Sequence, residues 1–211
     1  GSNGDIAIGS GILTLAELQQ NTSTGTVTIG KATTKGTDGA GTGTTTPQSD
    51  TLTVDTANLD FSAQTFSLTL DPATKINLGK NITSNNKNIT FTAPTTLTAD
   101  STLTTGGGTV TFNSTVDGSH NLNVLTSGGN LSFDNTMDSI LSLTLTLGTG
   151  DVTFTGNVGS TARIGDLTIE SARNVTSAGI KSSLLTQNAG SGTTTLNGVV
   201  DSSGAVNVIA N

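Results

Sequence analysis

The chain has 211 residues, with 8 Lys and Arg against 15 Asp and Glu for a net charge of −7, 27 Gly, and no Cys, Trp or Tyr. That balance excludes the clustered basic surface that nucleic acid or an anionic membrane requires, no run approaches the roughly 20 apolar residues of a membrane-spanning helix, and a disulfide framework is impossible. Low charge (11%) and few aromatics (3%) would suit a disordered chain, but β-branched residues are abundant and regularly spaced, which disorder does not produce.

Taken in chain order, Gly1-Ser2 reads as a cloning scar, which would make residues 3–211 an interior excerpt of a longer protein forming one unit. Ile6 and Ile8 open the first short strand. The segment 13–20, "LTLAELQQ", supports one helical turn at most. "TVTI" at 26–29 is the next strand, followed at 30–50 by "GKATTKGTDGAGTGTTTPQSD". This stretch has no apolar alternation, so a loop insertion is expected there.

From residue 67 the strands recur: "SLTL", "NITF", "TVTF", "NLSF", "DVTF", beginning at 67, 88, 109, 130 and 151, a step of 21 residues. Within each strand apolar and polar residues alternate, the pattern of a strand with one buried face. Five apolar columns follow at this step, except that Ile29 to Leu70 and Val27 to Leu68 span 41 residues, two rows with one residue missing, and that the fifth column skips from Leu145 to Val208. The first holds Ile8, Ile29, Leu70, Phe91, Phe112, Phe133, Phe154, Val175 and Leu196; the second holds Ile6, Val27, Leu68, Ile89, Val110, Leu131 and Val152. The others run Val116, Met137, Val158, Gly179, Val200; Leu122, Leu143, Ile164, Leu185, Val206; and Ile82, Leu103, Val124, Leu145, Val208. At 172–192 the step puts Arg173 under Val152. An unpaired buried Arg is costly, so the strand is expected to slip by two, with Val175 inside and Asn174 and Thr176 outside.

Like residues over like residues require a parallel coil in which each winding stacks on the last about 4.8 Å away; antiparallel hairpins would pair unlike positions. The chain is therefore expected to be an all-β, right-handed parallel β-helix of about ten coils, each with two or three strands. Phe91, Phe112, Phe133 and Phe154 would form one internal file. The first and last coils, near Ile6–Ile8 and Val206–Val208, carry no polar cap, so end-to-end self-association or cover by neighbouring coils of the parent is expected.

"GTGDVTFTGNVGSTARIGDLTIESA" followed by "GSGTTTLNGVVDSSGAVNVIAN" resembles the degenerate repeats of large secreted bacterial exoproteins: the filamentous-haemagglutinin-like, two-partner-secretion and autotransporter-type β-helix adhesins. The likeness covers about 60–211 well and 3–59 less well, and rests on a V-T-F, Gly and L-x-V pattern, not on a catalytic signature. It implies an extracellular, stalk-like segment at the bacterial cell surface that extends a binding tip or forms a surface layer, with surface glycans or other surface proteins as partners.

The residues offer little chemistry. His120 is the only His; in "DGSHN", with Asp117 and Ser119 nearby, it reads as a turn residue rather than a general base, since a triad needs a positioned nucleophile and an oxyanion site. Glu17 and Glu170 lie several coils apart, too far for paired-carboxylate hydrolysis. The Asp residues at 71, 100, 117, 134, 138 and 151 sit in turns, where Asp supports local backbone bonds. "GGGTVTF" and "GTGDVTFTG" do not repeat the Gly and Asp phases of a calcium nonapeptide, and "TSGGN" and "TTGGG" are followed by no helix that could hold a phosphate. No catalytic residue, cofactor or metal is assigned. The outward positions of the first strand form a polar ladder that includes Thr26, Thr28, Thr69, Asn88, Thr90, Thr109, Thr111, Asn130, Ser132 and Thr153. Thr is the best polar strand former and Asn stacks well, so this ladder reads first as strand chemistry. As an alternative it would be an ice-binding or carbohydrate-binding face. A polysaccharide-acting β-helix enzyme, a further alternative, would need a groove of clustered Lys, Arg and Asp, for which the chain supplies only Lys75, Lys80, Lys87, Lys181, Arg163, Arg173, Lys31 and Lys35.

Overall fold

The computed structural model describes residues 6–7, 26–30 and 51–210. Every described element is a strand and every pairing is parallel. The strands wind as a β-solenoid of about eight turns, fewer than the ten that row counting gives. The expected insertion at 30–50, the segment 13–20 and the proposed terminal scar lie outside the described residues, apart from Gly30.

After β1 (Ile6–Ala7), the windings are β2 (Thr26–Gly30), β3 (Thr51–Val54) and β4 (Leu59–Asp60); β5 (Ser67–Asp71), β6 (Lys75–Leu78) and β7 (Ile82–Thr83); β8 (Ile89–Phe91), β9 (Thr95–Leu97) and β10 (Ser101–Thr104); β11 (Val110–Phe112), β12 (Val116–Asp117) and β13 (Asn121–Leu125). Then follow β14 (Leu131–Phe133) and β15 (Ser142–Thr146); β16 (Val152–Phe154) and β17 (Ile164–Ser171); β18 (Val175–Ser177) and β19 (Ile180–Gln187); and β20 (Thr194–Leu196), β21 (Val200–Ser202) and β22 (Val206–Val208). Three faces result. The first is β2-β5-β8-β11-β14-β16-β18-β20, the second β1-β3-β6-β9-β12, and the third β4-β7-β10-β13-β15-β17-β19-β21, with β22 also on β19. Single bridges through Met137 and Val158 carry the second face onward.

Alternation within strands points one residue of each pair into a continuous interior, and the file of Phe91, Phe112, Phe133 and Phe154 forms as expected. Their ring centroids are 4.4, 5.0 and 5.2 Å apart and the rings lie within 10° of parallel. All four are buried. Parallel register forces this arrangement on identical side chains in identical slots. Phe61 and Phe66, which belong to no column, fill the interior between β4 and β5 edge to face, with centroids 5.6 Å apart.

The 21-residue register is kept by compensation. Val152 pairs with Val175, two residues beyond the step, and Val175 pairs with Thr194, two short of it. Arg173 is thereby placed outside, as the cost of burying it demands. Three sequence columns need correction for the same reason. Ser177, not Val175, lies beneath Phe154; Leu167, not Ile164, pairs with Leu143; Ile180, not Gly179, bridges Val158. Each extra residue is taken up in one winding and returned in the next, so Leu196, Leu185 and Val200 fall back into phase. Ile6 also moves: it pairs with Leu52 on the second face, not with the Val27 column. Ile8 lies outside the described residues.

Turns stack as strictly as strands do. Thr105 and Thr126 each donate a 2.5 Å hydroxyl bond to the carbonyl three residues on, at Gly108 and Gly129. A Cβ on Gly129 would sit 2.1 Å from the Gly108 carbonyl oxygen, and one on Gly150 would sit 2.0 Å from that of Gly129. Glycine here lets one corner lie on the next.

Two outcomes follow. Phe133→Ala should lower stability by about 3–5 kcal/mol, read from the urea midpoint, because the cavity opens between two rings that cannot close on it. Gly129→Ala should lower the same midpoint although it removes no contact and adds one methyl, since backbone, not a flexible side chain, opposes it.

Candidate functional site

The first face is the most regular surface of the molecule. Its central rank is Thr28, Thr69, Thr90, Thr111, Ser132, Thr153, Thr176 and Thr195, each paired in register with the next. From Thr69 to Thr176 these side chains are half-buried by their neighbours. The Ser132 hydroxyl bonds the Asp134 carboxylate of its own turn; the face is otherwise a line of hydroxyls at strand spacing.

The rank at the strand entrance does different work. Asn88 Oδ1 accepts the backbone N–H of Thr109 at 2.9 Å, and Asn130 Oδ1 accepts that of Asp151 at 2.9 Å. Asp151 Oδ1 accepts from Asn174 N–H at 3.1 Å, and Asn174 Oδ1 from Thr193 N–H at 2.9 Å. Ser67 Oγ accepts from Asn88 N–H at 3.1 Å. These side chains are rungs that hold one winding to the next. The ladder expected from the sequence therefore splits: Asn88 and Asn130 are structural, as rungs, while Thr69, Thr90, Thr111, Ser132 and Thr153 form the surface line. Thr109 receives a rung, and Thr26 is exposed at the start of β2. The signal for the rungs was present in the sequence, as an Asn or Asp one residue before the buried residues Ile89, Leu131, Val152 and Val175.

Arg173, displaced outward by the slip, forks onto Asp151 with Nε–Oδ1 at 2.8 Å and Nη2–Oδ2 at 2.5 Å. This bond, with the Asn174 contacts, holds the Asp151 carboxyl down at about 2 against the loss of hydration that opposes it. Arg163 reaches further. Its Nη1 bonds the carbonyls of Ser182 (2.7 Å) and Asp201 (2.6 Å), and its Nη2 bonds Asp201 Oδ1 at 2.8 Å, tying three windings together. The guanidinium, followed by the charge of Lys181, lowers the Asp201 carboxyl. Asp117 shifts upward instead, through desolvation and then the charge of Asp138 on the winding beneath.

Beside this strap lies a shallow groove of about 290 Å³, lined by Asn157, Ser160, Gly179, Lys181, Val199 and Asp201. Its one free-standing cation, Lys181, faces a carboxylate already taken by Arg163. His120 Nδ1 lies 3.7 Å from Asp100 Oδ1, both half open to solvent, and Asp100 is chiefly bonded to Asn121. Among the described residues no three His, Cys, Asp or Glu side chains come together as a metal site would need. Glu170 bonds Asn188; Glu17 lies outside the described residues.

The interior changes character in the winding of β18 and β19. Ser177, Ser182 and Gln187 all point inward and are buried. Gln187 Oε1 accepts from the Thr194 hydroxyl at 2.9 Å, whereas Ser177 Oγ, Ser182 Oγ and Gln187 Nε2 have no protein partner. Sequence columns missed this because each polar residue reads there as a break in the pattern and not as a member of it.

Fold and surface together define a parallel β-solenoid repeat protein. No family model, no curated protein and no solved structure matches the chain.

The Asp151–Arg173 bond gives a pH signature. The folded carboxyl titrates below its ordinary value near 4, so the bond stabilises above that value and its contribution disappears as pH falls through about 4 toward about 2. Urea midpoints of wild type and Asp151→Asn should accordingly differ at pH 6 and converge near pH 2.

Proposed function

We propose that this solenoid is a structural and adhesive segment of a secreted or cell-surface bacterial protein, of the filamentous-haemagglutinin-like or autotransporter kind, whose work is reach, rigidity and display. The observation that carries the reading is where the chain's specific chemistry is invested. Asn and Asp rungs, the Arg163 strap and the Phe file all join winding to winding. The one groove described above is shallow, and its carboxylate is committed to holding windings together. A stack of this kind grows by about 4.8 Å per winding, and each winding is stabilised mainly by its neighbours.

The partners this reading implies are neighbouring coils of the parent or a second copy stacked end to end, and surface glycans or other surface proteins that meet the small polar faces. The reading includes no turnover and no cofactor. Ice or sugar recognition by the first face is the second reading, favoured by the unbroken central hydroxyl rank. It is the weaker one: matching a lattice in two dimensions needs a second free rank, and Asn88, Asn130, Asp151 and Asn174 are occupied as rungs.

Small-angle scattering of the purified chain should give a rod-like cross-section, with no thermal hysteresis in ice and no cleavage of pectins or alginates. A globular envelope would reject the stalk. Ice shaping would transfer the function to the hydroxyl rank, and cleavage would transfer it to an enzyme.

A further inference from the structure

Asparagine, serine and threonine are so common here that the N-x-S/T acceptor pattern for N-linked sugars recurs by composition alone. In the described residues it occurs at Asn81, Asn88, Asn113, Asn130 and Asn174; Asn21 begins another, outside them. The fold treats the five very differently.

Four of them are built into the ladder. Their middle residues are Ile82, Ile89, Leu131 and Val175, all buried in the interior and all in paired strands. Their carboxamide oxygens accept backbone N–H bonds from the next winding, at Thr102, Thr109, Asp151 and Thr193. Presenting any of these to a transferase would mean pulling a core side chain into water and breaking a rung.

Asn113-Ser114-Thr115 is the exception. It lies at the corner between β11 and β12, outside both strands. Asn113 is exposed and its middle residue Ser114 is half-exposed. The Asn113 backbone N–H bonds Phe91, but its carboxamide makes no hydrogen bond. The residues stacked on either side do not use it: Thr92 donates to Asp71 and to the Leu70 carbonyl, and Asp134 accepts from Ser132.

We propose that Asn113 is the position among the described residues at which the folded chain accepts an N-linked sugar. The donor is a sugar whose anomeric carbon carries a diphosphate leaving group. Asn113 Nδ2 forms the bond to that carbon, the bond to the diphosphate oxygen breaks, and the amide proton passes to a base of the transferase. No electrons are exchanged with an outside partner. The other four sequons become acceptors only where the chain is unfolded, so the sugar pattern also reports whether folding preceded transfer.

The test uses the full chain in an Asn21→Gln background, a soluble N-glycosyltransferase with a nucleotide-activated hexose, and peptide mass mapping. Short peptides carrying each sequon set the intrinsic acceptor rates. In the folded chain Asn113 should be modified within a few-fold of its peptide rate, while Asn81, Asn88, Asn130 and Asn174 should fall about a hundredfold or more below theirs, because each waits on local opening. Asn113→Gln should abolish the folded-chain product and leave the urea midpoint unchanged. Equal modification of Asn88 or Asn130 in the folded chain would overturn the proposal. So would an Asn113 that is accepted as a peptide and refused in the fold.

Discussion

A parallel winding must place every inward side chain on its own counterpart one winding away, and nearly everything else in this structure depends on that constraint. It is why four phenylalanines stack nearly parallel, and why glycine recurs at one corner, where a methyl group would meet the carbonyl of the corner beneath. It is also why Asn and Asp recur at the strand entrance, where the side chain reaches the next backbone N–H. In each case a residue is selected by its relation to a copy of itself, not to a distant partner. This explains how a chain with so few aromatics and so little charge can hold a continuous interior: the core is narrow, but most of its inward residues rest on an apolar counterpart in the adjacent winding.

The same constraint decides what was legible in the sequence. The Phe file and the alternation around it were fully legible, because identity and spacing carry the information. The outward slip of Arg173 was legible too, because burial of an unpaired guanidinium leaves the chain no other choice. The neighbouring corrections were not. Leu167 and Ile180 enter the columns because extra residues are absorbed at a corner and returned a winding later, and a fixed step reads across that excursion without registering it. The rungs were visible as letters but ambiguous as chemistry, since Asn serves turns, ladders and ligand surfaces alike; only the bond to Thr109 or Asp151 distinguishes these uses.

Charge is used sparingly and locally. Arg173 secures the winding whose slip displaced it, and Arg163 secures the two windings beyond. Both sit where the regular step is disturbed, so ion pairing is concentrated where repetition supplies least. Elsewhere the outer surface is small and hydroxylated, a composition that wets well and offers few large apolar patches for unwanted association. The Asn113 corner belongs to this surface, and its side chain is free because neither stacked neighbour needs it.

The polar winding of Ser177, Ser182 and Gln187 has a consequence for how the rod gives way. A linear array passes cooperativity from unit to unit only as well as its poorest junction allows. Upstream, rings and aliphatic groups couple each unit strongly to the next. At this junction three buried polar atoms lack protein partners, and fewer apolar groups, chiefly Val175, Ile180 and Leu185, are left to carry the coupling beside the Arg163 tie. Heat should therefore open the stack at this winding before it opens the ring-filled windings that precede it.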